Sequence, residues 1–205
     1  MKLARTTLHL VSRIAIAAIA TAFLAGGAAI ADGGSLIGQS APNFTLNNAV
    51  TGASTSLSSL ESGKQATVVI FISTKCPVSN AYNERYEALS NSYSDKGVVI
   101  VGINSNETEP IDEVASHAQA HGFTFPVLKD LGSAIADAYG AGHTPEVFVI
   151  DSHGMVVYHG RIDNSMKASE VTSHDLAKAL DQVIAGKPVS PSETKAFGCS
   201  IKRPH

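Results

Sequence analysis

The chain holds two cysteines, Cys76 and Cys199, and its sulfur chemistry rests on them. Cys76 follows Ser73-Thr74-Lys75 and precedes Pro77, where a strand-like run gives way to a helix-like one. Proline suits the first position of a helix, because its missing N–H would have no partner there. Cys76 is therefore the expected N-cap. The unpaired amides of the first turn and the positive end of the helix dipole then point at its sulfur, and Lys75 adds a positive charge beside it. These features favour the thiolate, which is the nucleophilic form. An inert structural cysteine is the bland alternative, and the position between strand and helix argues for the reactive one. Cys199 lies 14 residues beyond Ala185, in a tail without periodicity. Fully extended, that length covers at most about 46 to 50 Å, more than the roughly 40 Å across a compact domain of this size. Cys199 can thus reach Cys76 of its own chain or of a neighbour.

The elements that must position Cys76 are legible around it. Ala66 to Ile72 and Val98 to Ile103 are short, continuous, β-branched runs, the pattern of strands covered on both faces. Between them Tyr82, Tyr86, Leu89 and Tyr93 recur at helical spacing, which predicts one long amphipathic helix opening at Cys76. A parallel pair needs such a crossover. Ile111, Val114, Ala115 and Ala118 predict a second helix, Phe123 to Leu128 a short strand and Ile135 to Tyr139 a short helix. After Pro145, Val147 to Ile150 and Met155 to Tyr158 flank Asp151-Ser152-His153-Gly154 and predict a hairpin. Thr172 with Asp175 predicts a capping box for a last helix through Leu176, Leu180, Val183 and Ile184, stopped at Gly186 and Pro188. Alternation of this kind gives one α/β domain, a three-layer sandwich with helices on both faces.

Composition bounds the rest. The chain has 205 residues, 44% hydrophobic and 16% charged, within the range of one globular domain. Residues 1 to 31 stand apart: Lys2, Arg5 and Arg13 precede an apolar stretch from Ile14 to Leu24, and Ala29-Ile30-Ala31 offers a small-x-small cleavage site. This is the pattern of a secretory signal peptide cut near Ala31, with an apolar run too short to span a bilayer. The expected organisation is thus a signal peptide at 1–31, a domain at 35–187 and an extended tail at 188–205. Cleavage leaves 12 Lys and Arg against 18 Asp and Glu, with no basic surface for nucleic acid and no further span for a membrane. The expected location is periplasmic or secreted, in a bacterium, where disulfides persist. His117 and His121 have helical metal-binding spacing but no third ligand nearby, and the carboxylates show no catalytic pairing.

Thr144-Pro145 ahead of the hairpin completes a resemblance to the thioredoxin superfamily. More narrowly, the chain resembles the redoxin group of alkyl hydroperoxide reductases and thiol-specific antioxidants, in the peroxiredoxin-like branch that ends in a Gly-Cys-Ser-Ile-Lys tail. The residues that carry it are Ile37-Gly38, Ala41-Pro42-Asn43-Phe44-Thr45-Leu46, Cys76-Pro77, Lys96-Gly97-Val98, Ile103-Asn104-Ser105-Asn106, Ala138-Tyr139-Gly140-Ala141, Thr144-Pro145, Gly160-Arg161-Ile162-Asp163 and Gly198-Cys199-Ser200-Ile201-Lys202. The resemblance implies a thioredoxin-like α/β/α sandwich with an N-terminal redoxin extension. It also implies a cis Pro145 packed against Cys76, and backbone groups of Thr144 offered to a substrate or partner. His143, one residue earlier, is placed to serve as a proton acceptor for Cys76, but an ordinary loop histidine is the preferred reading.

Departures from the family's patterns matter equally. Ser79 stands where a dithiol motif has its second cysteine, and serine cannot resolve a mixed disulfide. Asn80 stands where copper-binding relatives have theirs, leaving too few soft ligands. Ser73 matches the hydroxyl residue of peroxiredoxins, but Val69 replaces their proline, and their arginine has no counterpart unless Arg161 supplies it. The first reading is a thiol oxidoreductase that needs no metal or organic cofactor. Cys76 reduces a peroxide, becoming a sulfenic acid, Cys199 condenses with it, and an external dithiol reduces the disulfide. The alternatives are single-thiol exchange with disulfides of exported proteins, and a non-catalytic binding module. In that module a Cys76–Cys199 disulfide adds up to about 5 kcal/mol by closing a long loop.

Overall fold

The computed structural model describes residues 34–205. The signal-peptide expectation for residues 1–31 lies outside the described residues. The domain opens on a short hairpin, β1 (Thr45–Asn48) and β2 (Ser54–Ser56), followed by α1 (Leu57–Glu61) and the first core strand, β3 (Ala66–Phe71). Then come α2 (Pro77–Asn80), α3 (Asn83–Ser94), β4 (Val98–Asn104), α4 (Ile111–Ala120), β5 (Val127–Lys129) and α5 (Ala134–Tyr139). The second half holds β6 (His143–Thr144), β7 (Glu146–Asp151), β8 (Val156–Gly160), α6 (Asp175–Ile184) and, in the tail, β9 (Cys199–Ser200).

The main sheet runs β2-β1-β5-β4-β3-β7-β8. β3 and β4 pair in parallel, as do β4 and β5, whereas β7 runs antiparallel to β3. Alternation along β3 divides the core into two layers. Val68 and Ile70 face a layer with Tyr86 of α3, Val114 of α4 and Leu180 of α6. Val69 and Phe71 face the other, with Leu57 of α1 and Ala136 and Tyr139 of α5. This is the expected three-layer arrangement, with β1, β2 and α1 as its N-terminal extension. Among the described residues no helix is long and apolar enough to cross a membrane.

Some expectations need correction. The helix opening at Cys76 is not one long element: α2 ends after a single turn, and α3 starts at Asn83. At the break the Tyr82 amide reaches back only as far as the Ser79 carbonyl, 3.0 Å away, a tightened turn common at helix ends. Tyr82 is anchored elsewhere, its hydroxyl donating to Asp163 at 2.7 Å and its ring lying 6.1 Å from that of Tyr86. The Thr172–Asp175 capping box is absent; His174 is the N-cap of α6 and makes no side-chain cap bond. The Thr172 hydroxyl accepts from Asn164 instead, and the Asp175 carboxylate accepts from Arg161 and Ser173. The strand expected over Phe123 to Leu128 is shorter and shifted, at Val127–Lys129.

Nor does the tail simply lie extended over the surface. The Ser190 amide donates to the Gln182 side chain of α6 at 3.0 Å, and the tail is then anchored on β8, where the His159 amide donates to the Ser192 carbonyl (2.9 Å) and the Thr194 amide donates to the His159 carbonyl (3.0 Å). The Thr194 hydroxyl binds the Tyr158 hydroxyl at 2.7 Å and accepts from the Arg161 amide at 3.1 Å. Gly160 makes this crossing possible: its φ is +148°, and a Cβ there would lie 2.3 Å from the Thr194 carbonyl oxygen. Ala at position 160 has to push the tail away or bend β8. The Gly160→Ala variant is expected to lose about 1–3 kcal/mol of stability, read from urea unfolding, with new proteolytic cleavage between residues 188 and 198.

Candidate active site

The site forms where β3 ends, α2 begins and the tail crosses the loop before β7. Cys76 is the N-cap of α2, as expected, with extended backbone (φ −79°, ψ 117°) and Pro77 in the first helical position. Its sulfur accepts the Ser79 amide at 3.4 Å, and as a thiol it donates to the Thr144 carbonyl at 3.3 Å. Only 4% of the residue is exposed. Thr144–Pro145 is cis, as the resemblance implies.

β9 pairs antiparallel with β6, with Thr144 opposite Cys199 and His143 opposite Ser200. The pairing brings the two cysteines together, both as free thiols. Burial pushes the Cys76 thiol up, but the Cys199 thiol, the Ser79 amide, the nearby Thr144 side chain and the Cys199 amide, all of which favour the anion, outweigh it. Its pKa therefore falls below the ordinary 9.0. Cys199 moves the other way. Its thiol is committed to Cys76 and partly desolvated, which holds it protonated in spite of the Val78 amide. The amides of Val78 and Ser79, in the first turn of α2, thus serve one sulfur each. Cys76 is the better anion, and Cys199 the neutral donor beside it.

The structure also shows what does not reach the sulfur. Lys75 turns away, its ammonium 3.0 Å from Glu113 and 2.6 Å from the Thr108 carbonyl, so the charge expected beside Cys76 is spent elsewhere. The Ser73 hydroxyl donates to Glu109 and accepts the amides of Cys76 (2.9 Å) and Lys75 (3.2 Å). It braces the loop. Arg161 is ion-paired with Asp175 at 2.7 Å and does not supply the arginine of a peroxiredoxin. Ser79 is fully buried, its hydroxyl accepting the Ser73 amide at 3.0 Å and contacting Tyr86 at 3.2 Å. His143 is not a loop histidine but the first residue of β6, paired with Ser200; its side chain is half exposed, with a ring nitrogen 3.7 Å from Glu146.

Two carboxylates that the sequence does not single out hold this geometry. Glu109, 2% exposed, accepts from the Ser73 hydroxyl, the amides of Thr74 (2.9 Å) and Lys75 (3.2 Å), and the Asn104 amide group. Asn104 in turn accepts from the buried ammonium of Lys129 at 2.8 Å. Glu146, directly after Pro145, accepts the amides of Gly142 and His143, each at 2.8 Å, and binds His159 at 2.7 Å. Burial raises its carboxyl pKa, but the His159 bond and the two amides together bring it below the usual value. Glu109 thus fixes the Cys76 loop, and Glu146 fixes the Thr144 loop facing it. Among the described residues no cluster of His, Cys, Asp and Glu could hold a metal.

The sulfur assignments are checked by titration. The ultraviolet thiolate absorbance of the reduced protein should rise in two steps, the lower one belonging to Cys76 and falling below 9.0. Because Cys199 supplies hydrogen bonds that favour the Cys76 anion, Cys199→Ala should move that lower step upward. Cys76→Ser should abolish it.

Residues 37–159 match the model of the AhpC/TSA family, which is 60% of the chain. A thiol-disulfide oxidoreductase ResA of Halalkalibacterium halodurans is 34% identical over 120 residues, 58% of this chain and 65% of that protein, so the match spans just under two thirds of the relative's length. The crystal structure of a hypothetical protein from Sinorhizobium meliloti superposes with a TM-score of 0.77 at 34% identity, covering 82% of this chain and 94% of that one. Peroxidoxin BcpB of Mycobacterium tuberculosis shares the fold, with a TM-score of 0.57 at 23% identity over 74% of this chain and 96% of its own. On the extent of the family match and the thioredoxin-like architecture described above, the chain belongs to the AhpC/TSA family.

Proposed function

We propose that the protein is a thiol–disulfide oxidoreductase in which Cys76 is the attacking thiol and Cys199 the resolving one. The observation that carries this reading is the placement of both sulfurs at the first turn of α2, the buried one favoured as thiolate and the tail-borne one as thiol. The cycle balances without a cofactor. The Cys76 thiolate attacks one sulfur of a client disulfide, forming a mixed disulfide and releasing the other client sulfur as a thiolate. Cys199 loses its proton and attacks the Cys76 sulfur, releasing the second client thiol and leaving the Cys76–Cys199 disulfide. An external dithiol reduces that bond and is itself oxidised. Thr144 and cis Pro145 present the edge along which the client lies. The export reading of residues 1–31 places this exchange in the periplasm or outside the cell, and the relatives named as thiol-disulfide oxidoreductases support the reaction class.

Peroxide reduction by the same pair is the second reading, favoured by family membership and by a hydroxyl residue, Ser73, three positions before Cys76. The geometry supports it less. The Ser73 hydroxyl is spent on Glu109 and the loop amides, and Arg161 on Asp175, so neither assists O–O cleavage at the sulfur. A redox-inert module with a static Cys76–Cys199 disulfide is distinguished by its reduction potential, since structural disulfides lie below about −300 mV.

Two measurements decide among these readings. With reduced Cys199→Ser protein and a disulfide-containing substrate protein, a mixed disulfide through Cys76 should accumulate, detected by non-reducing electrophoresis and mass. The wild type should turn over without it, and absence of the adduct overturns exchange. With limiting hydrogen peroxide, Cys76 should oxidise no more than about tenfold faster than free cysteine at the same thiolate fraction; a much larger acceleration would favour the peroxidase reading.

A further inference from the structure

The tail occupies the very edge that the exchange reading assigns to the client. β9 uses the pairing positions of His143 and Thr144, and the Ile201 amide donates to the Gly142 carbonyl at 3.0 Å. With the tail in place Cys76 is 4% exposed, and its sulfur is surrounded by Thr144, Ser79 and Cys199. The β6 edge beside it is taken by the tail. We infer that residues 198–201 are a tethered stand-in for the client strand, which must leave β6 before a client disulfide reaches Cys76. The inference rests on the exchange reading and specifies its partner.

Two features of the tail describe the segment that can replace it. Gly198 has φ +153°, and a Cβ there would lie 2.0 Å from the Thr144 carbonyl oxygen and 2.7 Å from its carbon. No side chain fits at that position while the strand keeps this register. Two residues beyond Cys199, Ile201 is 5% exposed and belongs to the apolar layer that contains Ala141 and Tyr139. The fitting client is an extended segment with glycine directly before its cysteine and an aliphatic residue two positions after it. Recognition runs through strand pairing at a sheet edge, with side-chain selection at alternate positions.

The latch that keeps the tail down is made mostly of polar contacts. The Lys202 amide donates to the Asn106 side chain and its carbonyl accepts from the Glu107 amide, both at 2.8 Å. Arg203 pairs with Asp137 at 2.6 Å and donates to the Ala141 carbonyl at 2.8 Å. The main sheet shares none of these contacts, so the tail can open while the core stays folded, in the way that weakly anchored segments open locally.

The test uses the full-length Cys199→Ser protein, which keeps the tail but removes its thiol. The rate at which Cys76 reacts with a bulky maleimide reads tail opening and needs no client disulfide. Adding Arg203→Ala, a surface change at the latch, should speed this reaction about two- to fivefold, the range of a partly exposed ion pair. Adding Gly198→Ala should speed it by about tenfold or more, because the tail cannot reseat in register. Equal rates in the three proteins overturn the occlusion. In the Arg203→Ala protein, thionitrobenzoate mixed disulfides of the peptides Ala-Gly-Cys-Ser-Ile and Ala-Val-Cys-Ser-Ile should differ in rate, the glycine peptide being about tenfold faster. Equal rates overturn the stand-in assignment. Maleimide acceleration without any transfer from either peptide would sink the exchange reading while leaving the occlusion in place.

Discussion

The carbonyl of Thr144 is the constraint on which the site depends. It receives the Cys76 thiol on one side, and on the other it stands so close to the tail that Gly198 alone fits against it. A shift of the Thr144 carbonyl disturbs both relations, whereas departure of the tail ends only the second. Its position is set by Glu146, whose carboxylate gathers the amides of Gly142 and His143 and is itself tied to His159. His159 belongs to β8, the strand on which the tail makes its earlier crossing at Thr194. One buried carboxylate thus connects the loop beside Cys76 to a strand that holds the tail. The two close approaches, at Gly160 and Gly198, fix where the tail lies and so where Cys199 arrives.

The second buried carboxylate has a different task. Strand β3 delivers Cys76 through Ser73, Thr74 and Lys75, whose amides are turned toward the buried carboxylate of Glu109 and the hydroxyls of Ser73 and Ser79. Glu109 accepts those of Thr74 and Lys75 directly and the Ser73 hydroxyl beside them, and Ser79 takes the amide of Ser73. A buried charge needs such satisfaction to be tolerated. Lys129 provides the compensating cation through Asn104 and the Asn106 carbonyl, although burial pulls its own pKa down. Ser73 is drawn into this network, which explains why a hydroxyl at the expected spacing from the cysteine does not serve the sulfur. The same network settles Lys75, whose side chain follows Glu113 outward.

What was legible in the sequence follows from what was local. β3 and β4 announce themselves through unbroken apolar runs, and Pro77 marks Cys76 as an N-cap because both signals lie within a few residues. The break between α2 and α3 was hidden, since the tyrosine spacing continues across it; Tyr82 keeps its place in the pattern while its hydroxyl is claimed by Asp163, far along the chain. The Thr172–Asp175 motif misled for the same reason, each side chain having a better tertiary partner. Glu109 and Glu146 looked like any carboxylate in a polar stretch, because burial is decided by what folds over them. Chain length showed that Cys199 can reach Cys76. The strand pairing that brings it there depends on Gly198 and the Thr144 carbonyl, which meet only in three dimensions.

Placing the second thiol on a tail instead of at position 79 changes the logic of resolution. A cysteine at Ser79 would sit permanently beside Cys76 and would share the site with any client. Cys199 arrives on a strand that needs the same β6 edge as the client, so on the proposed cycle the two cannot be docked together. Return of the tail therefore does two things in one motion. It expels the client from its pairing edge, and it brings the Cys199 thiol to the mixed disulfide, near the Val78 amide that favours its ionisation. Release of product is coupled to the chemistry by competition for backbone hydrogen bonds, and the binding strength of the tail sets how tightly a client must pair before it is attacked.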